Sequence, residues 1–350
     1  MFSYRAIIAG IVGLAIIILL SRALAQANPY YKGPVSDHFD GQRFLNPGQP
    51  STDRSFGEIW RWQSSRAAAK WPKSVEITPV APAPLQDKLR ITMVGHATTL
   101  IQAGTLNILA DPVWSKRVSP VSFIGPRRVT APGIAFDDLP PIHVVLISHN
   151  HYDHLDIATL RRLHAKHRPL MIMPLGNDTI VRKAIPGARI VTGDWGSRIP
   201  IDASATVTVT RANHWSNRGL RDRRSALWAS FLVKTKVGSI WFGGDTGYGD
   251  GAVFREIRAL YGSPDVALIP IGGYAPRWFM SSQHVDPAEA VQVMRDLDAR
   301  RAIGIHWGTF QLTDEGREAP REELGEALAR LGIGPDRFAA AQPGDVFDVD

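Results

Sequence analysis

Cysteine is absent from the 350-residue chain, which excludes disulfide bridges, cysteine metal ligands and cysteine nucleophiles together. No long Lys/Arg run and no recognisable nucleic-acid module occurs, so no nucleic-acid partner is expected. Neither an internal repeat of short period nor a low-complexity tract is visible. The unbroken apolar run at 6–20 is shorter than the roughly 20 residues that a bilayer-spanning helix wants. With Arg5 before it and Ala23-Leu24-Ala25 after it, that run instead fits a secretory signal. Residues 1–25 are therefore expected to be a signal peptide or, if retained, an N-terminal membrane anchor. Either outcome exports the body, as a periplasmic protein or one anchored on the extracytoplasmic side.

What is present is an ordinary globular composition, 44% apolar and 21% charged, long enough to bury a substantial core. The formal charge of +7 suits an anionic substrate or an acidic membrane surface. Residues 26–88 are rich in proline, glycine and aromatics, with turn signals at Asn28-Pro29 and Asn46-Pro47-Gly48 and a single helical stretch at 56–71. They read as an extended arm packing on a domain of residues 89–350. Within that domain, strands are expected at 89–94, 99–103, 106–110, 144–148, 170–173, 206–210, 229–235, 239–243, 266–271 and 302–305. Helices are expected at 155–164, 178–184, 252–260, 286–300 and 321–331, giving a layered α/β architecture.

Four of these strands run at their C-terminal ends into His149, toward His214, toward Asp245 and into His306. Binding groups gather on loops at one edge of a rigid sheet. The densest group is His149-Asn150-His151-Tyr152-Asp153-His154. Side chains two apart on extended backbone share a side, so His149 and His151 can address one metal while Asp153 and His154 address a second. One loop cannot close two shells, and His214, Asp245 and His306 are the natural further ligands. His149, His151 and His214 then serve one ion, Asp153, His154 and His306 the other, with Asp245 shared. Imidazole with carboxylate suits zinc, with iron and manganese open. Two such ions generate a bridging hydroxide near neutral pH, a nucleophile for esters, lactones and phosphodiesters.

The H-x-H-x-D-H motif with later His, Asp and His resembles the metallo-β-lactamase-fold superfamily over residues from 89 to the C-terminus. Val94-Gly95-His96-Ala97-Thr98, Asp111-Pro112-Val113-Trp114, Gly125-Pro126-Arg127-Arg128 and Asn213-His214-Trp215 narrow the likeness. So do Gly243-Gly244-Asp245-Thr246-Gly247-Tyr248, Tyr274-Ala275-Pro276-Arg277-Trp278-Phe279-Met280, Gln283-His284-Val285-Asp286-Pro287 and His306-Trp307-Gly308-Thr309-Phe310. Together they are similar to the branch of N-acylphosphatidylethanolamine-hydrolysing phospholipase D and its bacterial relatives. That resemblance implies an αββα sandwich with a dinuclear metal site at one edge of the two sheets, and two zinc ions per chain. It implies hydrolysis of N-acylphosphatidylethanolamine-like phospholipids to phosphatidic acid, with membrane association. A lactonase or carboxylic-ester hydrolase of the same fold is the alternative, and a non-catalytic metal-binding envelope protein a remote one.

Around the ligands, Asp153 and His284 are the candidate catalytic residues, His284 beside the substrate phosphate or leaving group. His96 and Asp111 are candidates to orient ligands from behind. Tyr274, Arg277 and Trp278 are the expected substrate contacts, with Arg277 meeting a phosphate. His38, His143, His164 and His167 receive no role, and Arg221-Asp222-Arg223-Arg224 reads as solvated loop charge. An oligomer is left open.

Overall fold

The computed structural model describes residues 27–85 and 87–349, so the expected signal or anchor at 1–25 lies outside the described residues. Among the described residues no helix is long and apolar enough to cross a membrane.

Among the described residues, fourteen strands form two seven-stranded sheets. The first contains β1 (Leu89–Gly95), β2 (Thr98–Ala103), β3 (Leu106–Ala110), β4 (Val144–Leu146), β5 (Leu170–Pro174), β6 (Arg189–Gly193) and β14 (Val346–Val349), in the order β14-β1-β2-β3-β4-β5-β6. The second contains β7 (Arg198–Pro200), β8 (Thr206–Thr210), β9 (Ser230–Thr235), β10 (Gly238–Phe242), β11 (Val266–Pro270), β12 (Arg301–Ile305) and β13 (Phe338–Ala340), in the order β13-β12-β11-β10-β9-β8-β7. Pairing is parallel from β3 to β6 and from β10 to β13. Strands β8 and β10 are both antiparallel to β9 and so run the same way.

Alternation along the strands sorts side chains between two faces. Ile240 and Phe242 of β10 enter the core between the sheets with Ile108, Leu146, Phe231, Leu268 and Ile303. Trp241, between them in sequence, faces outward onto α4 (Ala252–Tyr261), α6 (Pro287–Asp296) and α7 (Ala319–Arg330) through Phe254, Met294 and Leu328. On the other sheet Val145, Ile147 and Met171 meet α2 (Ile157–His167) and α3 (Asn177–Ala184) through Leu160, Leu163 and Val181. The result is the expected αββα sandwich, helices outside and two sheets within. Burying each such Leu, Ile or Phe contributes roughly 1.5–3 kcal/mol.

The segment before β1 packs along loops that connect the strands of both sheets. Phe39 and Phe44 bury against Leu227 and Trp228, and further on Val75 and Val80 donate backbone bonds to Val129 and Gly133. Its helix α1 (Phe56–Ser64) begins at a Ser55–Glu58 capping box. It is shorter than the 56–71 read from the sequence: the Ser65 amide and the Ser64 and Ser65 hydroxyls all bond back to the Arg61 carbonyl, closing the helix there. Strands β6, β7, β13 and β14 were not read at all, because they are edge strands only three to five residues long, and β6, β7 and β14 carry exposed polar positions. Residues 277–280, read as loop, form a one-turn helix α5 (Arg277–Met280).

Candidate metal centre

The C-terminal ends of β4, β8, β10 and β12 meet at one rim, and the loops leaving them carry the seven side chains. After β4 the chain turns at His149, with the His154 and Leu155 amides both bonded to the His151 carbonyl, before Asp156 caps α2. After β10 comes Gly244 at φ +57, where a Cβ would lie 2.6 Å from Ser148 Cβ. Glycine is required there, and it lets Asp245 approach the His149 loop.

Two donor groups result. In one, His149 Nε2 lies 2.8 Å from His151 Nδ1, and His214 Nε2 3.3 Å from the same atom. Asp245 Oδ2 faces them at 3.9 Å from His149 and 3.7 Å from His214. In the other, Asp153 Oδ2 is 3.4 Å from both His154 Nε2 and His306 Nε2. Asp245 reaches this group as well, 3.2 Å from His154 through Oδ2 and 3.2 Å from His306 through Oδ1. Donor atoms around a tetrahedral zinc are spaced about 3.3 Å apart, given metal–ligand bonds of about 2.0–2.1 Å.

The donors fit metal on two further grounds. His154 Nε2, His306 Nε2 and Asp245 Oδ1 are buried without a hydrogen-bond partner, which protein interiors do not ordinarily tolerate. The charge balance also calls for cations. Burial alone would raise Asp153 and Asp245, yet the surrounding imidazoles outweigh it and hold both carboxyls well below the usual range. Burial would likewise lower His306, but Asp245 and Asp153 push it up to about 9. His151 and His214 are depressed to about 3 by burial, leaving them in the neutral form that binds metal.

A second layer aims the donors. Asp111 Oδ2 lies 2.6 Å from His154 Nδ1 and 2.5 Å from Ser148 Oγ, while its Oδ1 accepts the Ser148 amide at 2.7 Å. His96 Nε2 meets Asp153 Oδ2 at 2.9 Å, and the Gln283 carbonyl meets His214 Nδ1 at 2.9 Å. His96, Asp111 and His306 all have positive φ, at 58°, 37° and 64°. Non-glycine residues held in that region concentrate at functional sites. Arg218 clamps the ligand loop: its Nη1 donates to the carbonyls of Asn150 (2.9 Å) and Leu155 (2.8 Å), and its guanidinium lies 3.9 Å from the Tyr152 ring centroid.

Above the donors opens a cleft of about 850 Å³ whose floor includes His151, Asp153, Asp245 and His284. His284 keeps Nδ1 unpartnered, 4.0 Å from Asp245 Oδ2. Burial pushes it down to about 3, so it presents a neutral imidazole with one N–H to donate. The expected substrate contacts Tyr274, Arg277 and Trp278 do not line this cleft. Arg277 is taken by Glu289 at 2.7 Å and Asp286 at 3.3 Å, Tyr274 is buried, and Trp278 lies under Arg61 on the outside. Their neighbours Phe279 and Met280 line the wall instead, with Trp215 and Leu312.

Sequence reasoning missed the arm's share, Thr52, Arg54, Ile59 and Trp62. These positions carry no motif, and their place depends on contacts more than 200 residues away, such as Arg54 to the Phe279 carbonyl. The reading of residues 221–224 as solvated charge holds for the exposed Arg221 and is overturned at the other three positions. Asp222 is buried and accepts the Tyr30 hydroxyl at 2.5 Å together with the Arg218 and Gly219 amides. Arg223 and Arg224 pair with Asp53 of the arm.

A two-sheet sandwich with helices on both faces and a buried His/Asp cage at one edge is the framework of a metalloenzyme, and its relatives make it a metal-dependent hydrolase. The β-lactamase superfamily domain matches residues 106–307, and the chain belongs to that superfamily. It is 36% identical over 268 residues, 74% of this chain and 75% of the other, to N-acyl-phosphatidylethanolamine-hydrolyzing phospholipase D 1 of Caenorhabditis elegans. An isothiocyanate hydrolase from Delia radicum gut bacteria has the same fold, with a TM-score of 0.58 at 18% identity over 74% of this chain and 98% of that one. CmlA, a diiron β-hydroxylase from Streptomyces venezuelae, shares it too, with a TM-score of 0.55 at 19% identity over 77% of this chain and 55% of that one.

Proposed function

We propose that this metal-dependent hydrolase is a dinuclear zinc phosphodiesterase of phospholipase D type, acting on N-acylphosphatidylethanolamine-like phospholipids. The observation that carries the reading is the cleft, where polar donors on the floor stand beneath a wall of Ile59, Trp62, Phe279, Met280 and Leu312. A phosphodiester bearing acyl chains matches that division of polar floor and apolar wall. The likeness to a phospholipase D of this chemistry points the same way.

His149, His151 and His214 would hold one ion and Asp153, His154 and His306 the other, with Asp245 between them. When bound, two such ions lower the pKa of water to near neutrality and stabilise charge on phosphoryl oxygens. His284 supplies a neutral N–H beside the floor, placed to hydrogen-bond the leaving oxygen. Asp153, steadied by His96, stays ionised throughout. A donor set without cysteine accepts iron or manganese as well as zinc. We read residues 1–25 as signal or anchor, 26–88 as the arm and 89–350 as the catalytic domain, with the body on the extracytoplasmic side.

The test offers the purified full chain N-acylphosphatidylethanolamine, a lactone and a β-lactam, with bound metal quantified alongside. Release of phosphatidic acid is the expected outcome. Turnover of the lactone alone would replace the phosphodiesterase reading with that of an ester hydrolase.

A further inference from the structure

His284 is placed by contact rather than by bonding. Among the described residues no hydrogen bond reaches its ring, and Nδ1 is buried without a partner. The ring lies against His214 and His306, at 5.1 and 5.5 Å between centroids, and against the backbone of Gly273. Gly273 sits at φ +84, where a Cβ would come within 3.1 Å of His284 Nδ1 and 3.3 Å of His306 Cε1. The main chain itself is therefore the surface on which the His284 ring rests, an approach that only glycine permits. Whatever holds residue 273 holds His284.

What holds it is a carboxylate. The loop after β11 presents two amides to Glu315, Gly273 N–H to Oε1 at 2.6 Å and Ala275 N–H to Oε2 at 3.1 Å. Thr313 Oγ1 donates to the same Oε1 at 2.7 Å, which orients the carboxyl group. Hydrogen bonds to an ionised acceptor are roughly twice as strong as those between neutral groups. The Asp314 amide adds a return bond to the Ala275 carbonyl at 3.2 Å. Behind this turn stands the arm. Trp62 and Arg66 donate to the Asp314 carboxylate, the Ala69 amide to the Asp314 carbonyl and Trp71 to the Glu315 carbonyl. A turn fixed from both sides can hold Gly273 to the roughly 0.5 Å that productive geometry demands. Glu315 itself neither lines the cleft nor belongs to a donor group.

We propose that Glu315 is a positioning residue for the reaction. By clamping the Gly273 and Ala275 amides, it fixes the backbone beneath His284 and so aims the His284 N–H at the leaving oxygen. The inference rests on the role given to His284 under the proposed function. Losing Glu315 then resembles losing the His284 hydrogen bond, with the effect in the chemical step and not in metal or substrate binding.

The test compares full-chain Glu315→Gln, His284→Gln and the double variant on phosphodiesters whose leaving groups run from an alkyl alcohol to p-nitrophenol. An alkoxide needs a donor as its oxygen gains charge, whereas p-nitrophenolate departs without one. With the alkyl leaving group, Glu315→Gln is expected to lower kcat about tenfold at unchanged KM and metal content, shrinking to less than about twofold with p-nitrophenol. The double variant should be no slower than His284→Gln alone, as for residues that act as a unit. Gly273→Ala approaches the ring from the other side and should show the same dependence on the leaving group. An equal loss with every leaving group, additive effects in the double variant, a rise in KM alone or loss of metal from Glu315→Gln each overturns the proposal. So does wild-type turnover of the alkyl substrate by Gly273→Ala. If His284→Gln shows no leaving-group dependence, the role of His284 fails and the proposal with it. If His284→Gln shows it and Glu315→Gln does not, this inference alone fails. Should the wild type cleave carboxylic esters and no phosphodiester, the same comparison on alkyl and aryl esters judges Glu315 while the substrate reading falls.

Discussion

The donor cage takes its side chains from four strand ends of one rigid sandwich, and most of them are braced by a second buried contact. The wall above it is assembled from an arm and loops distant in sequence, tied on by side chains reaching backbone carbonyls, such as Arg54 to Phe279 and Asn46 to His214. Chemistry that tolerates little displacement is therefore built on strand termini, while substrate fit is left to segments that can vary without disturbing the sheets. If that division holds, substitutions in the cage should affect metal and turnover together. Those in the wall should change substrate preference alone.

The largest effect belongs to the cage itself, and above all to Asp245, the donor that reaches both groups. Asp245→Asn or His151→Ala should lower turnover by about 10³-fold or more, because the charge stabilisation that bound metal supplies to the reacting group is lost. Metal content measured by mass spectrometry should fall in both variants, and chelation of the wild type should mimic them. Next comes Asp111→Ala, which leaves the Ser148 amide, the Ser148 hydroxyl and His154 Nδ1 without their acceptor. A loss of roughly 10–100-fold in metal affinity is expected, read by zinc titration against a chromophoric chelator. If Asp111→Ala binds metal as tightly as the wild type, the bracing contacts do not set the cage.

Arg218→Ala should fall just below that, by roughly tenfold in affinity. It frees the carbonyls of Asn150 and Leu155 at the two ends of the ligand loop. Cobalt substitution offers a readout beyond activity, since a loosened loop should alter the visible spectrum of the bound ion, and Arg218→Lys should restore part of it. An unchanged spectrum in Arg218→Ala would confine the clamp to general stability.

How much of this was readable beforehand follows from where each contact lies along the chain. The six-residue loop at 149–154 is local, so its chemistry stands in the sequence as written. His214, Asp245 and His306 were readable because each follows an apolar strand, and strand ends gather at one rim. The cleft wall was not, because Trp62 and Asp314 are 252 residues apart, and a helical pattern around Trp62 does not say what the helix packs against. Arg277 misled for a physical reason: a cation beside Trp278-Phe279-Met280 looks like a phosphate contact until Asp286 and Glu289 of the following helix turn are seen to claim it. Trp62→Ala tests the wall directly. It should lower kcat/KM for long-chain substrate by about tenfold, the scale of a vacated apolar pocket, with metal affinity and the cobalt spectrum unmoved. Loss of metal in this variant would erase the distinction between cage and wall.

The smallest expected effect concerns how the arm is held. His38 lies between Asp194, 2.8 Å from its Nε2, and Asp37, 2.6 Å from its Nδ1. Its ring stacks on Trp195 at 4.5 Å, and the only other charge facing this group among the described contacts is Arg211, over the same indole. Burial opposes the charged imidazole, but the two carboxylates outweigh it and raise the pKa above the ordinary value. A raised folded-state pKa means that the stabilisation is fully present below the unfolded value of about 6.5 and disappears as pH climbs through the folded value. The melting temperature of wild type should thus exceed that of His38→Gln by about 2 °C at acidic pH, with the gap closing on the alkaline side. A gap of constant size across the range would mean that His38 holds the arm through its stacked ring, not its charge, and that the arm's attachment is as insensitive to pH as the sandwich beneath it.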